Sequence, residues 1–350
     1  MIVDGHEDLA LNILADGRDY LTSAYAIRET EAAAGFENPN GICMLGLEDW
    51  RKADVRVIIA TLQAIPCEEA RLGEPTYVTV DAAHWQGRAQ LQIYRDLECE
   101  QAALRILETR GQLDSLLADP ERPIGFVLLM ENADSIRDPD ELAWWWERGL
   151  RVIGPAWHTN RYTGSTMTGG PLTDLGRSLL DEMSRIGFVL DVTHMSDDSS
   201  REALERFEGT VVATHANARR TVERDRLLPD DVIEAIADRD GVVGVLPLNW
   251  ALDADWKAKG KDGVTLDALV DAIDDLRDIT GDARHIAIGT DFDGGQGAES
   301  APAELDTIAD LPKLAGRLAD RGYSQQEVDG IMSGNWLRVL RRALPLGSAE

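Results

Sequence analysis

Lysine is nearly absent from this chain. Five occur among 350 residues (Lys52, Lys257, Lys259, Lys261 and Lys313), and none lies between positions 53 and 256. That gap excludes a Schiff-base or carboxylated lysine from the middle of the chain. Cysteine is scarce too: Cys43, Cys67 and Cys99 are odd in number, widely spaced and form no CxxC pair. Reduced thiols are expected rather than a disulfide frame. No run of 18 apolar residues occurs, so no membrane span is expected. The first residues lack a basic segment followed by an apolar stretch, so no secretory signal is expected and a cytoplasmic location is the default. Positive charge is short overall, with a formal net charge of −28. Such a surface argues against nucleic acid as a partner, because basic groups are needed to displace counterions. It argues equally against docking on anionic lipid.

What is present is apolar sequence in short, regular instalments. The hydrophobic content of 44% suffices for one large core. Strand-like runs start at Ile2-Val3 and recur at 55–63, 124–131, 150–158, 186–194, 210–215, 241–249 and 285–291. Most are β-branched and apolar on both faces, as in a parallel sheet covered on both sides. Amphipathic stretches such as TDLGRSLLDEMSRI, with Thr173 and Asp174 as candidate caps, fall between them. Eight β/α units predict a single (β/α)₈ barrel over residues 1–350.

Polar residues cluster where these runs end. His6, Glu131, His158, His194, His215 and Asp291 each close a different predicted strand. In a barrel of this kind those ends share the catalytic face. In DGHEDLA, His6 and Asp8 are two apart on an extended segment and point the same way. Asp4 shares that parity one layer deeper, as a supporting residue. Glu131 ends the apolar run FVLLM, where a carboxylate is costly to bury unless paired in a salt bridge or bound to metal. Lone strand-end histidines are more often hydrogen-bonded core residues than ligands. Two of them, in DVTH and VATH, joined to an HxD pair and a glutamate shift the reading to metal.

The ligand set then reads His6, Asp8, Glu131, His194 and His215. Imidazole and carboxylate donors suit zinc, with manganese, cobalt and iron admissible. Five ligands exceed what one catalytic zinc takes, but serve two Zn²⁺ ions if Glu131 bridges them. The missing lysines leave Glu131 as the best bridging candidate. Two ions less the charges of Asp8, Glu131 and a bridging hydroxide leave a net charge of about +1, suited to polarising a carbonyl. Asp291, in GTDFDG, is the expected proton carrier, and Asp293 is assigned to the following turn. His158, in AWHTN, is open to a ligand role. With the metals already served it is assigned to the substrate carbonyl or oxyanion. His84 is expected on a surface helix, and His285 at the opposite barrel end.

These motifs together resemble the membrane dipeptidase (renal dipeptidase, peptidase M19) family of metallopeptidases in the amidohydrolase superfamily. The likeness runs through DGHEDL, MENADSI, GLRVIGPAWH, PLTDLGRSLLDEMSRIGFVLDVTH, THANAR with Arg226 beyond it, IGTDFDG and GNWLRVL. It implies a binuclear zinc barrel that hydrolyses dipeptides, tolerates a C-terminal D-residue and is often a dimer, which leaves a homodimer open here. It implies that His6 and Asp8 bind one metal, that His194 and His215 bind the other, and that Glu131 bridges. Asp291 then moves the proton, and His158 and Arg226 hold the substrate, Arg226 through a forked pair with its carboxylate. Three positions depart from the family pattern: Asn132 for Gly, Leu227 for Asn and Trp157 for Thr. They bear on substrate shape, not on the metal site.

A related amidohydrolase acting on N-acyl amino acids or another amide or ester is the alternative, and a non-catalytic metal-binding protein is a third. The segments 11–50 and 251–263 are expected on the catalytic face, the second as a mobile positive rim. The run Trp144-Trp145-Trp146 cannot all face one core, since three consecutive helical positions spread over about 200°. Burial against a neighbouring helix is expected over a dimer contact.

Overall fold

A computed structural model describes residues 1–35, 40–69 and 75–347. Residues 36–39 of the first long loop, and 348–350 of the terminal segment, lie outside the described residues. Eight parallel strands follow the expected runs: β1 (Ile2–Glu7), β2 (Val55–Gln63), β3 (Ile124–Glu131), β4 (Leu150–Gly154), β5 (Val189–Asp191), β6 (Val211–Val212), β7 (Val243–Val245) and β8 (Ile286–Ile288). They form one sheet in the order β6-β5-β4-β3-β2-β1-β8-β7. A parallel bridge from Ala213 to Val243 joins its two ends and closes the barrel. An unforeseen short strand, Leu104–Ile106, pairs with the first half of β3, while β4 takes the second half.

Alternation sets the two sides of each strand. Val57 and Ile59 of β2, with Val127 and Leu129 of β3, pack inside the barrel. Ile58, Ala60, Leu62, Phe126, Leu128 and Met130 pack outward under the helices. The same parity turns Gln63 and Glu131 inward at the strand ends. The helix Asn335–Ala343 closes the opposite end, with Trp336 buried beneath Val3 and Ala287. The helix Asp174–Ile186 forms where expected, and Thr173 caps it by accepting from the Gly176 amide at 3.0 Å.

β1 departs from simple alternation. A bulge between Asp4 and Glu7 adds a residue relative to β2. Asp4 therefore does not share the inward face of His6 and Asp8. It turns to β8, where its carboxylate accepts from the Thr290 amide at 2.8 Å and the Thr290 hydroxyl at 2.6 Å. It remains a supporting residue, by a different route.

Other expectations need correction or refinement. His84 lies on a helix, Val80–Glu100, but on its buried face, with Nδ1 3.0 Å from the Ser135 carbonyl. Trp145 is fully buried, Trp146 packs edge-on to Phe188, and the half-buried Trp144 lies between Arg88 and Arg148. The lysine-rich segment is not a free positive rim. Lys259 pairs with Asp253, and Lys261 donates to the carbonyls of Ala298 and Leu305. Among the described residues, no helix is long and apolar enough to cross a membrane.

Candidate active site

The C-terminal mouth of the barrel holds a cavity of about 340 Å³. Asp8, Glu131, His194, Arg226 and Asp291 line it, with Leu11, Ile65, Trp157, Met167 and Trp250 as apolar walls. Three imidazoles converge on one carboxylate oxygen. Glu131 Oε1 lies 3.7 Å from His6 Nε2, 3.1 Å from His194 Nε2 and 3.7 Å from His215 Nε2. His194 Nε2 and His215 Nε2 are 3.1 Å apart, and His6 Nε2 is 3.7 Å from Asp8 Oδ1. Two donors on one tetrahedral metal at 2.0–2.1 Å stand roughly 3.3 Å apart, so these spacings suit metal ligation. Two sets of donors lie within 4.8 Å of one another: His6, Glu131 and His215, and His6, Asp8 and Asp291. His6 Nε2 is buried with no hydrogen-bond partner. A ring nitrogen left so, amid carboxylates, fits a ligand to a bound cation.

Several of these residues lie beyond the strands proper. β5, β6 and β8 end before His194, His215 and Asp291. Freed from the ladder, the backbone twists inward: His194 adopts φ 67° and Asp291 φ 53°. Such left-handed geometry is costly for these residues and clusters at functional sites.

One polar device was not anticipated from the sequence. Thr214 Oγ1 donates to Asp191 Oδ2 at 2.5 Å. Its hydroxyl is then an acceptor for two imidazoles, His6 Nδ1 at 3.1 Å and His215 Nδ1 at 3.0 Å. Both rings thereby carry a proton on Nδ1 and turn Nε2 to the centre. Asp191 also accepts from the Thr193 amide and hydroxyl, at 3.0 and 2.7 Å. The Thr-His pairs in DVTH and VATH were the available signal. Close main-chain packing brings Thr214 there. A Cβ on Gly5, Gly244 or Gly289 would lie 2.6, 2.0 or 1.9 Å from the Thr214 carbonyl oxygen.

The electrostatics favour a bound cation. Burial opposes charge on His6, yet Glu131, Asp8 and Asp291 raise its imidazole to about 10. Burial also opposes charge on Glu131, but His6 and His194 hold it below the usual carboxylate range. Asp291 is pushed well up, by burial and by Asp8 and Glu131. Burial and Arg226 lower His194 to about 4; burial and His6 hold His215 well below the usual imidazole range.

The remaining sequence candidates sit around this centre. Arg226 Nη2 is 3.2 Å from His194 Nε2 and donates to the His215 carbonyl at 3.2 Å. Its ring neighbour is Trp250, 6.0 Å away. His158 is less central. Trp157 lines the cavity, while His158 Nδ1 faces Glu69 Oε1 at 3.4 Å. Asp293 does lie in a turn, with φ 65°, but it is also a buried anchor. Its carboxylate meets Arg18 Nη1 at 3.0 Å, accepts from Tyr20 at 3.1 Å and takes the Met44 amide at 2.7 Å.

A parallel barrel that gathers histidines and carboxylates at its C-terminal mouth defines the class of metal-dependent barrel hydrolases. Within it, this chain belongs to the membrane dipeptidase family, peptidase family M19, whose sequence pattern matches residues 1–346. An uncharacterized protein in the pqqA 5′ region of Klebsiella pneumoniae is 32% identical over 268 residues, covering 73% of this chain and 94% of that protein. Rat dipeptidase 3 is 30% identical over 171 residues, covering 49% of this chain and 33% of that protein. Among solved structures, a metallopeptidase of Rhodobacter sphaeroides bound to a phosphinate mimic of L-Ala-D-Ala superposes with a TM-score of 0.81. It shares 21% identity over 98% of this chain and 99% of its own. A dipeptidase AC metallopeptidase gives a TM-score of 0.82 at 23% identity, covering 98% of each chain.

Proposed function

We propose that the protein is a metal-dependent dipeptidase that holds two divalent ions, zinc by donor chemistry. Family membership supports the class. One observation carries the site: three imidazole nitrogens within 3.7 Å of Glu131 Oε1. His6 and Asp8 would hold one ion, His194 and His215 the other, with Glu131 shared between them. When bound, such ions supply an activated water and polarise the scissile carbonyl.

The chain's own groups do the rest. Asp191 and Thr214 fix the proton on Nδ1 of His6 and His215. Asp291 is the proton carrier. Its carboxylate stands with His6 and Asp8 at the cluster, where it can take a proton and return it to the leaving amine. Arg226 receives the substrate carboxylate, and Trp157 and Trp250 wall the side chains. His158 is assigned to the substrate carbonyl, at the cavity edge. The ligand of the Rhodobacter protein supports a D-residue on the C-terminal side.

The test is a turnover screen of L-L, L-D and D-L dipeptides on protein stripped with chelator and reloaded with zinc. Activity should vanish on stripping and return with about two metals per chain. Arg226→Met should raise KM for dipeptides far more than it lowers kcat. Two bound metals with no hydrolysis of any dipeptide would overturn the reading.

A further inference from the structure

Four of the five carboxylates that line the cavity are already engaged. Asp8, Glu131 and Asp291 belong to the imidazole cluster, and Asp293 is buried against Arg18. Glu69 stands apart. Its side chain is 29% exposed, and it meets His158 Nδ1 at 3.4 Å without hydrogen-bond geometry. It belongs to a wall formed by Gln63, Ile65 and Glu69, which runs outward from β2. The inner end of that wall is level with the metal centre, because Gln63 is in register with Glu131.

Arg226 marks the other end. It follows β6, four places from β2 in the sheet order β6-β5-β4-β3-β2. In a closed ring of eight strands, four places is the far side. The cavity thus has a cation beside the imidazole cluster, rooted after β6, and a separate carboxylate on the wall that runs out from β2. A dipeptide carries the complementary pair of charges. Its ammonium and carboxylate flank the scissile amide, separated by roughly 7 Å of extended chain.

We propose that Glu69 is a specificity-determining residue that receives the free ammonium group of the substrate, so that the site selects unblocked dipeptides over N-acyl amino acids. This rests on the dipeptidase reading above and names its substrate class. Ile65 and Trp157 line the same part of the cavity and lower the local dielectric, which strengthens an ammonium–carboxylate contact relative to one in open water. The imidazole of His158 has no carboxylate partner other than Glu69 among the described residues. When Glu69 turns to an ammonium, His158 is left to the substrate.

The test uses two substrates that differ only in the amine, glycyl-L-alanine and N-acetyl-L-alanine, with zinc-loaded full-length protein. Wild type should prefer the dipeptide. In Glu69→Gln the ratio of kcat/KM values should fall about tenfold or more, through KM for the dipeptide, since hydrogen bonds to charged groups are of that order. Glu69→Asp should restore part of the ratio. The same fall should persist in a His158→Ala background, because the contact is with substrate and not through His158. An unchanged ratio, or equal losses on both substrates, would overturn the proposal while leaving the dipeptidase reading intact. Wild-type preference for N-acetyl-L-alanine would overturn the proposal and favour the N-acyl amidohydrolase reading instead. Failure of zinc-loaded wild type on every dipeptide would remove the reading itself and the proposal with it.

Discussion

The hydroxyl of Thr214 lies 2.5 Å from Asp191 Oδ2, and this one donation fixes the protonation of two rings. With its proton committed to Asp191, Thr214 can only accept from the Nδ1–H of His6 and His215. Thr214→Val keeps the shape and removes the acceptor. Metal affinity should fall about 10–100-fold, the usual effect of losing a partner behind a metal-binding histidine. Competition with a chromophoric chelator measures it. Affinity equal to wild type would mean the rings need no such support.

Asp291→Asn separates chemistry from metal binding. The amide cannot carry a proton, so kcat should drop by about 10²–10⁴. The imidazoles and Glu131 are untouched, so elemental analysis should still find the metal of the wild-type protein. Loss of metal in parallel with activity would make Asp291 a ligand instead.

Metal uptake should be coupled to pH through one histidine. Burial disfavours the charged form of His6, but Glu131, Asp8 and Asp291 outweigh it and raise the group to about 10. His194, lowered to about 4, and His215, held well below the usual imidazole range, are already neutral at pH 7. A metal binds neutral imidazole, so loading must expel the His6 proton at any pH below about 10. Affinity should therefore weaken by about tenfold per unit as pH falls from 8 to 6. Calorimetry in buffers of different ionisation enthalpy counts the released proton. A flat affinity over this range would contradict the assignment.

The glycines around Thr214 give a stability test with an internal control. A Cβ on Gly289 would sit 1.9 Å from the Thr214 carbonyl oxygen, a main-chain atom with nowhere to go. Gly289→Ala should cost at least about 1–3 kcal/mol as overpacking and weaken metal binding together with thermal stability. Gly316, in the helix Lys313–Arg321, would meet nothing within 4 Å. Gly316→Ala should be neutral or stabilising, by up to about 1 kcal/mol.

Much of the barrel was readable because its strands are apolar on both faces. β2 and β3 fill their expected spans of 55–63 and 124–131. Strand-end residues were equally legible, since a histidine or carboxylate closing an apolar run has few structural reasons to be there. The convergence of His6, Glu131, His194, His215 and Asp291 follows from that rule and barrel closure. What escaped notice depends on contacts distant in sequence. The bulge that turns Asp4 toward Thr290 reflects pairing of β1 with two neighbours and leaves no local mark. Thr214 reads as an ordinary strand residue until Asp191, on the adjacent strand, is placed beside it. His84 looked like surface because its helix is polar, yet Ser135 and Trp145 cover its face.

The floor of this site is framed by main chain. Gly5, Gly244 and Gly289 press three strands against a fourth at Thr214, so no side chain there can be enlarged or trimmed to resize the chamber. Variation in which side chains such an enzyme accepts has to be written into the rim, at Trp157, Met167 and Trp250. Engineering for new side chains should start at those three positions and leave the glycines alone.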